Sequence, residues 1–289
     1  WPNVIDLRES RYAFRLHEFP WKAALRLEPE NAYLWRKSDD FKLAQMVERK
    51  TPEGAKIFSL TTVANAYAAR DIRVTWQSAE ADTLFDALRL AALDAKPQYE
   101  WWGAWPIDSF LRLRVRLPAP SDSECDFSEI RVYSGDELVY TSPHWTVRAW
   151  PNSWEAPLAL DGNPATRWRT WQPVRAGTYF EIRFDHPQRV SSLLLNSHSP
   201  PSELRPEIYG MAPTGNWRAL GPLLGTPRPR PDLRFDATRA LRSAGYRYLL
   251  VPTGAGGAAP IGNAIVGQEA EWGLELVEKA GPYRLWRVK

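Results

Sequence analysis

The densest cluster of oxygen donors in the chain is the loop Asp161-Gly162-Asn163-Pro164-Ala165-Thr166, where a carboxylate, a carboxamide and a hydroxyl fall within one short stretch. Such a loop can wrap a hard cation such as Ca2+, which takes about 6 to 8 oxygen ligands. The same residues also form an Asx turn that caps its own backbone, and the spacing leaves both readings open. Trp154 and Trp171 flank the loop and Arg175 follows it. A sugar ring presents an apolar C–H face and a rim of hydroxyls, so an exposed aromatic plate beside forked donors suits it. The competing role for both tryptophans is core filling, because tryptophan is usually mostly buried.

Other chemistry is poorly served. The run Thr253-Gly-Ala-Gly-Gly-Ala-Ala-Pro-Ile-Gly262 lacks the Lys and Ser/Thr of a phosphate loop and departs from G-x-G-x-x-G, so no nucleotide cofactor is expected. His17, His144, His186 and His198 fall in separate segments without a helical metal spacing. Cys125 sits between acidic neighbours that raise a thiol pKa, the wrong direction for a nucleophile. No serine stands in a G-x-S-x-G elbow. No catalytic residue is assigned.

Lys plus Arg total 37 against 34 Asp plus Glu, a formal charge of +3. Arginine alternates along predicted strands instead of clustering, which argues against a nucleic-acid partner. The lone Cys125 excludes an intramolecular disulfide and leaves the redox compartment open. No run approaches the roughly 18 consecutive apolar residues of a membrane helix. Trp1 in place of methionine suggests an excised or mature form. The 15 tryptophans concentrate between Trp101 and Trp171, to fill a core or to form a surface for a flat ligand.

These groups need a scaffold, and the periodicity supplies one. A chain of 289 residues exceeds what one core usually serves. Residues 1–37 read as an irregular stem. Ser38 caps a helix through Glu48; a buried strand (55–60), a short helix (63–70), a strand (72–76) and a strong helix (81–95) follow. From Gln98 the period turns to alternation until about Leu220, giving strands at 110–117, 129–133, 137–140, 146–149, 179–184, 190–195, 207–211 and 217–220. Residues 222–231 are a Pro-rich linker. A helix (236–244) and strands at 246–251, 274–279 and 283–288 then close the chain.

The segment L-A-L-D-G-N-P-A-T-R-W-R-T-W (158–171), with G-T-Y-F-E-I-R-F (177–184) and R-V-S-S-L-L-L (189–195), resembles the discoidin, or coagulation-factor C-type, galactose-binding-like family. That resemblance implies a β-sandwich jelly roll. Leu111–Leu117 and Ser128–Tyr133 match strands that close the family fold, yet here they precede the Asp161 loop, so the jelly roll reads as circularly permuted. In metal-binding relatives the glutamate of that last strand faces the loop, which makes Glu129, Asp161, Asn163 and Thr166 the implied Ca2+ shell. Trp168 is implied to pack beneath the loop. Asn196 and His198 occupy the loop where carbohydrate-binding relatives keep polar contacts, and they join Trp154, Trp171 and Arg175 as expected ligand residues.

A weaker, longer pattern includes Tyr33-Leu-Trp-Arg36, Thr51–Ser59, Gly245–Val251, Trp272–Val277 and Tyr283–Val288. It resembles the extracytoplasmic C-terminal region of bacterial polytopic glycosyltransferases of the protein mannosyltransferase and aminoarabinose transferase group, which use polyprenyl-phosphate sugars. The expected fold is an α/β domain split in sequence (38–97 plus 232–289) around an inserted all-β jelly-roll sandwich (98–221). The expected function is that of a soluble periplasmic region, tethered to the inner membrane by the membrane-embedded part of the same polypeptide, that binds or orients a glycan or glycosylated acceptor. The alternative is a free-standing secreted carbohydrate-binding or adhesion module without enzymatic activity.

Overall fold

A computed structural model describes residues 25–93 and 97–289. The chain divides into two compact units, one holding residues 25–55 and 62–72 of the described chain, the other 56–61 and 73–289. No helix of the described residues is long and apolar enough to cross a membrane.

The smaller unit is built on α1 (Glu30–Lys37) and α2 (Asp39–Lys50). The helix α1 falls inside the segment expected to be an irregular stem, of which residues 1–24 lie outside the described residues. Ser38 accepts a hydrogen bond from Phe41 N at 3.1 Å, the cap anticipated for α2. Phe41 packs edge-on against Trp35 and Tyr67. The helix expected over 63–70 is a single 3-10 turn, Asn65–Tyr67. Arg70 beyond it bonds instead to Glu48 and Thr51, an anchorage for the extended chain that continues as β2 (Asp71–Val74).

The larger unit contains two cores. In the first, β1 (Lys56–Ser59) pairs in parallel with β13 (Tyr248–Pro252), while β15 (Tyr283–Val288) runs antiparallel to both β13 and β14 (Leu274–Ala280). Strands from both ends of the sequence thus share one sheet. Helices α3 (Ala79–Leu93), α4 (Arg234–Ser243) and α5 (Ala259–Ile265) accompany them. Phe58, Leu88, Leu241, Leu249, Trp272 and Trp286 are buried together there. The Gly-rich run expected to be a loop opens as one and becomes α5 at Ala259.

The second core is a mostly antiparallel β-sandwich. Its two longest strands, β3 (Gln98–Leu117) and β9 (Thr178–Ser197), pair along their length with register shifts near Ala104/Asp108 and Phe110/Arg112. Pro106 and Pro187, which donate no ladder hydrogen bond, stand at these bends. The bends divide the pair into two halves. Beyond the bend on one side, β5 (Glu129–Ser134) and β6 (Glu137–Val139) extend the sheet from β9, and β12 (Leu224–Arg228) extends it from β3. On the other side β7 (Thr146–Trp150) pairs with β9, and β10 (Glu207–Met211) then β11 (Trp217–Pro222) continue from β3. Trp101, Phe110, Val115, Phe127, Trp168 and Phe180 fill the core. Gly210 is required on β10, since a Cβ there would lie 2.3 Å from the Phe110 ring. Residues 224–228, within the segment expected to be a linker, form the edge strand β12; an edge tolerates Pro227.

Candidate functional site

The site grows from the segment between β7 and β9. Its short strand β8 (Trp168–Arg169) pairs with β4 (Asp126–Phe127), which comes from ahead of β5. Extended backbone sends Trp168 to one side, into the core against Phe127 and Phe180. Arg167 and Arg169 therefore point the other way.

Both arginines enter a carboxylate web shared with α3. Arg167 grips Asp86 with Nε at 2.8 Å and Nη2 at 3.0 Å, and reaches Asp126 at 3.2 Å. Arg169 bonds to Asp86, Asp82 and the fully buried Glu155. Asp86 is buried, and these guanidinium partners are the reason. Burial alone would raise the Asp86 carboxyl, but Arg167 and Arg169 hold it below its ordinary value.

Glu155 also organises the aromatic edge. It accepts from Asn152 Nδ2 at 2.8 Å and from Trp171 Nε1 at 2.8 Å. Trp171 is held with φ 58°, a left-handed backbone unusual for a residue with a bulky side chain. Its ring lies 5.9 Å from that of Trp154 and 4.6 Å from the Arg169 guanidinium. Trp154 and Trp171 are each 49 % exposed. The pair is thus fixed from below and open above.

Trp154 also lines a cavity of about 580 Å³ with Leu158, Asp161 and Asn163, together with Glu80 of α3 and Arg239 of α4. The loop forming its wall is tightly self-bonded. Asp161 accepts from Asn163 N at 2.8 Å and from Thr166 Oγ1 at 2.7 Å; Asn163 Oδ1 accepts from Ala165 N at 3.1 Å. Gly162 takes the left-handed φ of 70° that the turn needs. The loop also grips the neighbouring layer: Asn163 Nδ2 donates to Asp236 O at 3.1 Å, Arg239 donates to Gly162 O at 2.9 Å, and Ala165 is buried in the first core.

Glu129 lies across from this loop; it and Asp161 line a smaller cavity of about 330 Å³. Burial pushes the Glu129 carboxyl up to about 7; Arg131 opposes the rise and Asp161 adds to it. Burial likewise raises Asp161, against its hydrogen bonds from Thr166 and Asn163. Among the described residues no group of three or more His, Cys, Asp and Glu could hold a metal.

The remaining expected ligand residues lie elsewhere. His198 is buried, with Nδ1 2.6 Å from Asp126 Oδ2, and lines a polar cavity of about 720 Å³ with Arg89, Arg167 and Glu203. Burial would raise Asp126, but His198 and Arg167 hold it well below the carboxylate range. Burial and Asp126 push the Cys125 thiol far up, as its acidic neighbours suggested. Asn196 sits opposite Glu129 in the ladder, and its carbonyl accepts from Ser128 N at 2.9 Å. Arg175 N bonds to Thr178 Oγ1 at 3.3 Å.

No family model, curated protein or solved structure matches this chain. Its chemistry therefore rests on the geometry above. The partners of Trp171, Arg167 and Arg169, namely Glu155, Asp82, Asp86 and Asp126, were not anticipated from the sequence. The alternation Arg167-Trp168-Arg169 was the signal for them: a buried tryptophan between two arginines turns both toward whatever packs on that side.

Proposed function

We propose that this chain is the periplasmic region of a membrane glycosyltransferase that uses polyprenyl-phosphate sugars, and that its sandwich, a galactose-binding-like jelly roll, binds or orients a glycan or acceptor. The single observation that carries glycan binding is the Trp154–Trp171 pair. Two half-exposed rings, one hydrogen-bonded to a buried carboxylate, form a plate ready for the apolar face of a sugar. The cavity beside Trp154 adds Asp161, Asn163, Glu80 and Arg239 as groups for a hydroxyl rim. The parallel β1–β13 pair, formed by strands on either side of the sandwich in sequence, supports the reading of a split α/β domain with an insertion.

A structural Ca2+ belongs to the same reading. The raised Glu129 and Asp161 carboxyls are the fitting donors, because a cation relieves the cost of two buried acids facing each other. Asn163 and Thr166 spend their side chains on the loop itself and contribute by shaping it.

A glycan array with the purified chain tests the reading. We expect binding to one class of neutral glycan, lost in Trp154→Ala/Trp171→Ala. Unchanged binding in that variant would refute the aromatic plate. Added Ca2+ should raise the melting temperature of the parent and leave Glu129→Gln unmoved.

A further inference from the structure

Arginine alternates along the strands, and the registers turn that alternation into a cluster. On the C-terminal half of β3, Leu113, Val115 and Leu117 are buried, so Arg112, Arg114 and Arg116 share the outer face. Pairing with β10, β9 and β7 then sets side chains in three rows across four strands. The first row reads Met211, Arg112, Arg183, Thr146; the second reads Tyr209, Arg114, Glu181, Arg148. The third reads Glu207, Arg116, Tyr179, Trp150. Five arginines stand against two glutamates, an excess of three positive charges (5 − 2) on a patch that strand spacing and rise make about 14 Å on each side.

The counter-charge is already spent. Glu181 is buried beneath the face and is shared by Arg112 and Arg114. Among the described residues Arg116, Arg148 and Arg183 have no carboxylate partner within ion-pair distance. Aromatic rings order the guanidinium groups: Arg114 lies 5.0 Å from the Tyr179 ring and 4.4 Å from that of Trp217, and Arg116 lies 5.2 Å from that of Tyr209.

We infer that this outer face of β10, β3, β9 and β7 is a second binding site, separate from the Trp154–Trp171 plate, for a polysaccharide bearing carboxylates along its chain. Charge complementarity selects a polyanion, and the fixed, forked guanidinium groups suit carboxylates. A single strand of nucleic acid needs open aromatic faces for stacking; here Tyr179, Tyr209 and Trp217 each carry a guanidinium. An anionic membrane calls for a continuous apolar face to enter the headgroup layer. The exposed Trp150 and Trp217 instead stand on β7 and β11, at opposite edges of the patch.

Polygalacturonate is the probe, with dextran as the neutral control. Arg148→Glu/Arg183→Glu removes two exposed cations that do not bond to Glu181, and Arg148→Gln/Arg183→Gln serves if charge reversal lowers the melting temperature. The parent should bind polygalacturonate, more weakly as salt rises, and should ignore dextran at this face. The double variant should lose about tenfold or more in affinity, while Trp154→Ala/Trp171→Ala keeps it, which separates this site from the first. Absence of binding at low salt would overturn the inference, as would equal affinity in the arginine variants. So would tighter binding to phosphatidylglycerol vesicles or to a single-stranded oligonucleotide than to polygalacturonate.

Discussion

Arg167, just ahead of β8, and Arg169 within it stand two apart, as Arg112 and Arg114 do on β3, and each pair turns away from the same sandwich core. The first pair meets Asp82, Asp86, Asp126 and Glu155. The β3 pair shares the single Glu181, and among the described residues Arg116, Arg148 and Arg183 around it form no ion pair. The difference lies outside the strands. Helix α3 brings Asp82 and Asp86 to the first pair, whereas among the described residues Arg148 and Arg183 form no ion pair, Glu181 beside them being taken by Arg112 and Arg114. One arrangement ties two layers together; the other leaves cations for a partner.

The comparison breaks most visibly at Asp86. Asp86→Ala leaves Arg167 buried with half its partners, and loss of one member of a buried pair costs about 3–5 kcal/mol; the urea midpoint should fall accordingly. Trp154→Ala/Trp171→Ala should cost about 2 kcal/mol in glycan binding, roughly 30-fold, as for an interface hot spot, read by calorimetric titration.

Acid sharpens the contrast. Asp86 and Asp126 have folded-state pKa values below 3.8, so they bind fewer protons folded than unfolded near that pH. Their contribution is complete above 3.8 and is lost as pH falls through the lower folded values. Stability measured from pH 6 to pH 2 should drop below about pH 4, and Asp126→Asn should flatten that drop. The smallest effect belongs to the open face: Arg148→Gln/Arg183→Gln should change unfolding free energy by no more than about 0.5 kcal/mol.

Where a single period governed a segment, the sequence was legible. Glu207–Met211 and Tyr283–Val288 are strands with the expected bounds, and the change to alternation at Gln98 marks the start of β3. Of the residues expected to surround a cation, Glu129 and Asp161 line one cavity, while Asn163 and Thr166 bond within their own loop. Proline was the weakest guide. Residues 222–231 read as a linker, although Leu224–Arg228 pairs with β3, because an edge strand needs only half its backbone groups bonded. Asn196 and His198 were expected together in a ligand loop, but Asn196 lies within β9 opposite Glu129 and His198 is held by Asp126. No one-dimensional signal reports a partner that arrives from 72 residues away. The arginine face was hidden for the same reason: alternation within one strand becomes a patch only when neighbouring strands are in register.

The glycan plate can be watched directly through the indole N–H signals of the tryptophans in a nitrogen–proton correlation spectrum. On titration with the best glycan from the array, the Trp154 and Trp171 indole signals should move together and saturably, while those of the buried Trp101 and Trp168 stay in place. Movement confined to other tryptophans, or none at saturating glycan, would contradict the account.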